Sequence, residues 1–209
     1  VPDLDRLRVL LAEWVPAALP ATRGRLRGKA TLVGPRDDLA LTFQARGENL
    51  KQDGVGVGML DVKGNIGALS QGRSLAIGAS ATKLTTPVGR YASATGSLRG
   101  TLAAHALTLA IVGDDVDANL RFEGGLADGR WRGTLAGLRN RGTFQAELAA
   151  PARLEFGAGQ IELADARLAI ADGSLRVGGL RWSDGRLTTE GAFDAIPLSA
   201  VARMAGTPL

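Results

Sequence analysis

The sequence predicts an all-β protein built as one long antiparallel meander. Apolar and polar residues alternate with a period of two over most of the chain, as in a sheet with one greasy and one wet face. Turn signals recur roughly every 8 to 14 residues. Glycine supplies 29 of the 209 residues while aromatics make up only 4%, a composition suited to bent strands carrying small inward side chains.

Taken in order, the first segment reads as a helix. Leu4, Leu7, Leu11 and Trp14 share one face of a 3.6-residue period from Asp3 to Trp14, with Pro2 at its start and Pro16 ending it. This predicts a short amphipathic helix and linker over residues 1–22 and a continuous β domain over 23–197. A short helix from Leu198 to about Met204, within 198–209, reads as the opening of a further unit. It echoes the Pro-Leu opening of the chain.

Within the β domain, Arg23, Arg25, Arg27 and Lys29 alternate along a segment suited to a charged, aggregation-resistant edge, with contact to anionic lipid headgroups or a partner as the alternative. Leu39, Leu41, Phe43 and Ala45 begin the apolar phase, and Leu75, Ile77, Ala79 and Ala81 repeat it. Leu107, Leu109 and Ile111 are followed by Ala118, Leu120 and Phe122, then by Phe144, Ala146 and Leu148 as one strand. Leu154 and Phe156, Ile161 and Leu163, Leu168 and Ile170, and finally Leu187, Thr189 and Phe193 complete the series. Gly34-Pro35, Asp53-Gly54, Gly124-Gly125, Asp128-Gly129, Asp172-Gly173 and Asp184-Gly185 punctuate it, giving 13 to 15 strands. No strand–helix–strand alternation is present, which excludes doubly wound folds. A sheet this wide must close, split or curl. Its glycines allow it to fold over lengthwise and leave a narrow apolar trough.

Chemistry-bearing motifs are sparse. The absence of cysteine removes disulfides, thiol nucleophiles and Cys-ligated zinc. His105 is the only histidine, lies in phase with Leu107, Leu109 and Ile111, and has no Gly-x-Ser-x-Gly elbow to serve, so it reads as a strand-start residue. Asp53 to Gly58 resembles a phosphate loop only loosely, because Met59, Leu60, Asp61 and Val62 continue as strand and no helix follows. Asp114, Asp115 and Asp117 lack the glycine and distal glutamate of a calcium loop and read as a solvated turn, as do Asp37 and Asp38. Trp131, in phase with Leu135, and Trp182 read as core or as a lid at the sheet rim. We therefore expect no catalysis and no cofactor.

The net charge of +4 and pI near 10.1 are mildly basic, and arginine is spread rather than clustered, so no nucleic-acid partner is expected. No apolar run is long enough to span a membrane, and Asp3, Asp5 and Glu13 interrupt any signal peptide. The opening valine suggests a soluble fragment of something longer.

Several strings in order resemble the TamB family of AsmA-like, inner-membrane-anchored envelope proteins. They are GRLRGKATLVG at Gly24 to Gly34, GTLAAHALTLAIVG at Gly100 to Gly113, WRGTLAGL at Trp131 to Leu138, PARLEF from Pro151, and RWSDGRLTTEGAFDAIPLSAVARMAG at Arg181 to Gly206. Their order resembles the middle to late part of such a chain, ahead of its C-terminal domain. The resemblance implies a taco-like or open β-helical groove spanning the periplasm of a Gram-negative bacterium. It implies phospholipid as cargo and a barrel protein of the TamA type as outer-membrane partner, contacted through other parts of the chain. On this basis the expected groove lining is Leu41, Phe43, Leu75, Ile77, Leu107, Leu109, Ile111, Leu120, Phe122, Phe144, Leu154, Ile161 and Leu168. A groove that chaperones outer-membrane barrel proteins or autotransporters is the alternative.

Overall fold

The computed structural model describes residues 23–196 except 53, 88, 171, 172 and 184. The helices expected near either end of the chain lie outside the described residues.

Thirteen strands form one sheet. They are β1 (Arg23–Val33), β2 (Ala40–Gln52), β3 (Val55–Ile66), β4 (Ser74–Thr86), β5 (Gly89–Thr101), β6 (His105–Gly113) and β7 (Asp117–Ala127). There follow β8 (Arg130–Asn140), β9 (Ala146–Ala150), β10 (Ala152–Gly157), β11 (Gln160–Ile170), β12 (Gly173–Ser183) and β13 (Arg186–Asp194). Consecutive strands are antiparallel neighbours, with one exception at β9 and β10. These two share a single place between β8 and β11, because Pro151 separates them and cannot donate to the ladder. A 3₁₀ turn, Leu69–Gln71, interrupts the connection from β3 to β4.

Short turns hold this order. Asp128 and Gly129 both have positive φ (53° and 71°), and so do Ala158 and Gly159 (50° and 73°). Each pair joins two strands as a primed hairpin turn, whose twist matches that of the sheet. Longer connections are held by side chains. Asp38 accepts a 2.9 Å hydrogen bond from the Ser70 amide and another from the Ser70 hydroxyl. This ties the turn after β1 to the 3₁₀ turn.

One expected strand is shorter than the alternation suggests. Phe144 lies outside the strands, and β9 begins only at Ala146. The buried Asn140 donates from Nδ2 to the Phe144 carbonyl (2.6 Å), while its Oδ1 accepts from the Asp117 and Gly142 amides. Thr143 is bound to Asp115 through both its amide and its hydroxyl. Residues 141–145 are thereby drawn toward the start of β7 instead of extending β9.

Core packing is thin. Leu135, Ala152 and Ala166 form a buried cluster, with Leu120, Phe122, Leu138, Leu148, Leu163 and Val177 packed against it. Ala152 is fully buried. Among the described residues, the side chains packed around it come from the same face of β7–β12, and the small alanines at the centre let their larger neighbours close over them.

Candidate functional site: the apolar face of the sheet

Strand register places the apolar phase of the whole meander on one side. One row of paired residues runs Ala30, Phe43, Gly64, Ile77, Leu98, Leu107, Phe122, Leu135 and Ala152 from β1 to β10. The row beside it runs Gly28, Ala45, Val62, Ala79, Gly96, Leu109, Leu120 and Leu138. Beyond them Leu148, Leu168, Leu175 and Phe193 pair in turn across β9, β11, β12 and β13.

Of the expected lining residues, Leu41, Phe43, Leu75, Ile77, Leu107, Leu109, Ile111, Leu120, Phe122, Leu154, Ile161 and Leu168 share this face. Phe144 stands in the loop before β9. The others differ in exposure. Leu75 is buried, Leu120 and Phe122 pack on the core cluster, Ile161 is exposed, and most of the rest are half-buried.

The alternation alone misses part of the face. Leu50, Val57, Leu84 and Tyr91 belong to it, although they stand three residues, not two, from Gly47, Leu60, Ala81 and Ala94, the nearest members of the main apolar phase in β2 to β5. The cause is a crease. Asn49 (φ 50°) and Lys83 (φ 54°) are left-handed, and each breaks the period by one residue. Gly58 lies between them, and a Cβ there would stand 2.9 Å from Lys83 Cβ. Past the crease Leu50 folds back over Gly47, where a Cβ would meet Leu50 Cδ1 at 2.6 Å. Asp165 (φ 59°) does the same in β11, keeping Ile161, Leu163, Ala166, Leu168 and Ile170 on one side. The signal was present in the sequence as a switch from i, i+2 to i, i+3 spacing.

An aromatic row ends the face at one rim. Leu126, Trp131, Phe156, Ile161, Trp182 and Leu187 pair in succession from β7 to β13. Trp131 stacks on Phe156 at 5.0 Å between ring centroids. Its Nε1–H donates to His105 Nε2 (2.8 Å), and His105 Nδ1 donates to the Thr101 carbonyl (2.9 Å). The histidine thus accepts from the buried Trp131 at Nε2, a partner that its strand-start position did not announce. Trp182 is exposed, at the rim.

The opposite face is polar and carries cross-strand ion pairs. Arg46 pairs with Asp61 (3.0 Å), Arg139 with Glu147 (2.5 Å), and Arg181 with Glu162. Glu155 lies between Arg130 (3.3 Å) and Arg132 (3.2 Å). Desolvation pushes its carboxyl upward, but the two guanidiniums outweigh it and hold the group below its ordinary range. Shallow hollows of about 700, 600 and 480 Å³ open on this side, among the long polar side chains. Among the described residues no group of three acids or histidines is placed to hold a metal ion.

The fold therefore defines a single-sheet, all-antiparallel β protein with a continuous apolar face and a polar, ion-paired back. The family model described as "TamB, N-terminal domain" matches residues 9–169, about three-quarters of the chain. The chain belongs to the TamB family, a family of the Gram-negative envelope. The match contains the strings at Gly24 to Gly34, Gly100 to Gly113 and Trp131 to Phe156, whereas that at Arg181 to Gly206 lies beyond it. The matched model is an N-terminal one, where the order of the strings resembled a middle to late part. No curated protein and no solved structure matches.

Proposed function

We propose that the apolar face is a non-catalytic track along which phospholipid acyl chains move through the periplasm, between the inner and outer membranes. The observation that carries this is the unbroken apolar register from β1 to β13, kept on one side by the creases. Burying a methylene is worth about 0.8 kcal/mol, so a shallow surface holds a tail without a deep pocket. The rows are lined almost wholly by apolar side chains and glycine, with no polar group to anchor one position above its neighbours, which favours sliding over trapping. The headgroup stays in water at the open side. Family membership supports a place in envelope lipid or protein transport.

The test is a photocrosslinker placed along the face. In the wild-type chain, lipid adducts are expected at Phe43, Leu107 and Leu168. Leu109→Asp should abolish adducts beyond its position while circular dichroism keeps the strand signal. Unchanged adducts along the whole face in that variant would count against the track.

A second reading rests on a separate observation. β1 and β13 each have one paired neighbour in the sheet, and both are exposed along their length. Such edges can receive a nascent outer-membrane strand by added pairing, in a scaffold acting with a TamA-type barrel. Native mass spectrometry separates the two readings: bound phospholipid supports the track, and bound peptide supports the scaffold.

A further inference from the structure

We propose that the polar back of β1–β5 holds a binding site for phosphate-bearing anions. Two hollows there, of about 700 and 600 Å³, share Lys29, Gln44, Lys63 and Gly78 and form one continuous depression. Arg27, Lys29, Lys63 and Arg99 line it, and among the described residues none of the four has an ion pair. Among the described residues Asp61 is the one carboxylate on its walls, and Arg46 pairs with it at 3.0 Å. The depression therefore presents four uncompensated cations.

Two other hollows on this face are different. Over β10–β13, Arg153 and Arg181 stand against Glu155, Glu162 and Glu190. Over β5–β9, Arg139 is paired with Glu147, and Arg121 with Glu123 on the same strand. The same sheet that brings glutamate to arginine in β7–β12 gives the β1–β5 depression, among the described residues, one acid, Asp61, which Arg46 already holds. Cations gathered on one depression, with backbones about one screening length apart at physiological salt, repel one another, a cost that a bound anion removes.

The geometry suits a phosphate. Lys29 and Lys63 flank Gln44 in one register row, two strand spacings or about 9–10 Å apart at the backbone. Their flexible stems can converge over the Gln44 amide from either side. The row continues through Gly78, which has no side chain, and the small Ser97, and these make a floor beside the long cationic wall. A Cβ added at Gly78 would meet nothing within 4 Å, so that floor is open. A phosphate can accept charge-assisted hydrogen bonds from both lysines and the amide at once, where a single carboxylate offers fewer oxygens. The source is either the headgroup phosphates of an anionic lipid surface or a free phosphate. Since the sheet separates this site from the apolar face, it stands or falls independently of the acyl-chain track.

The test uses the full chain. Inorganic phosphate is titrated while amide resonances are followed, and vesicles of phosphatidylcholine with and without phosphatidylglycerol are floated with the protein. Saturable shifts at Lys29, Gln44 and Lys63 are expected. A roughly tenfold preference for the phosphatidylglycerol vesicles identifies headgroup phosphate, and saturable shifts without that preference identify free phosphate. Both responses should fall about tenfold in Lys29→Gln/Lys63→Gln. They should fall likewise in Gly78→Leu, which fills the floor without changing charge. Arg167→Gln/Arg176→Gln removes the same charge from a facing pair outside the depression and should leave both responses intact. Absence of saturable shifts, or an equal loss in the Arg167/Arg176 variant, overturns the proposal.

Discussion

Ala158 occupies the first place of a primed turn at φ 50°, where an L side chain with a Cβ is strained by about 1 kcal/mol. Asn tolerates that conformation, so Ala158→Asn should raise the melting temperature by about 1–4 °C in thermal circular dichroism. Asp38 carries a different kind of residue-level control. The Ser70 hydroxyl and then the Ser70 amide hold its carboxyl below the ordinary 3.8. A carboxyl lowered on folding stabilises at pH above its unfolded value, and the contribution is lost as pH falls through the lowered folded value. Ser70→Ala should bring the Asp38 titration back toward 3.8, read directly from its side-chain carboxyl resonance. Neither device was legible in the sequence. Ala is unmarked as a turn residue, and Asp38 and Ser70 are brought together only by the folding of β1–β4. The Asp128-Gly129 turn, by contrast, was legible, because aspartate and glycine both accept positive φ.

At the scale of the strand, the creases decide which side each residue faces. Lys83 sits at φ 54° between Thr82 and Leu84, and the apolar phase shifts by one residue across it. A β-branched side chain there opposes the left-handed conformation. Lys83→Val should therefore cost about 1–2 kcal/mol, while Lys83→Gly should be neutral or stabilising. Urea unfolding of the two variants checks this through the midpoint at unchanged slope. The period-two reading found the inward residues of β2, β4, β6, β7, β10 and β11 because side-chain alternation is a property of the local backbone. It passed over Leu50, Leu84 and Tyr91 because one left-handed residue reverses the phase. It extended β9 to Phe144 because nothing local announces that Asn140 will take the Phe144 carbonyl.

Across the whole molecule, the sheet ends on two open edges. β13 leaves Leu187 and Phe193 63% and 77% exposed, with Arg186 and Glu190 among the polar residues beside them. Edge charges of this kind oppose strand-to-strand association. Glu190→Val should produce concentration-dependent oligomers in sedimentation velocity under conditions where the wild-type chain sediments more slowly. The sequence by itself determined the class of fold, the antiparallel meander, and most of the apolar phase. Each of these follows from the two-residue period of a strand and the φ preferences of turn residues, which act over a few neighbours. Only the tertiary structure decided that side chains of β7–β12 pack around Ala152, that His105 serves Trp131, and that four cations without an ion pair among the described residues gather on the back of β1–β5. These depend on register between strands far apart in the chain, where a one-residue offset moves a side chain to the other face.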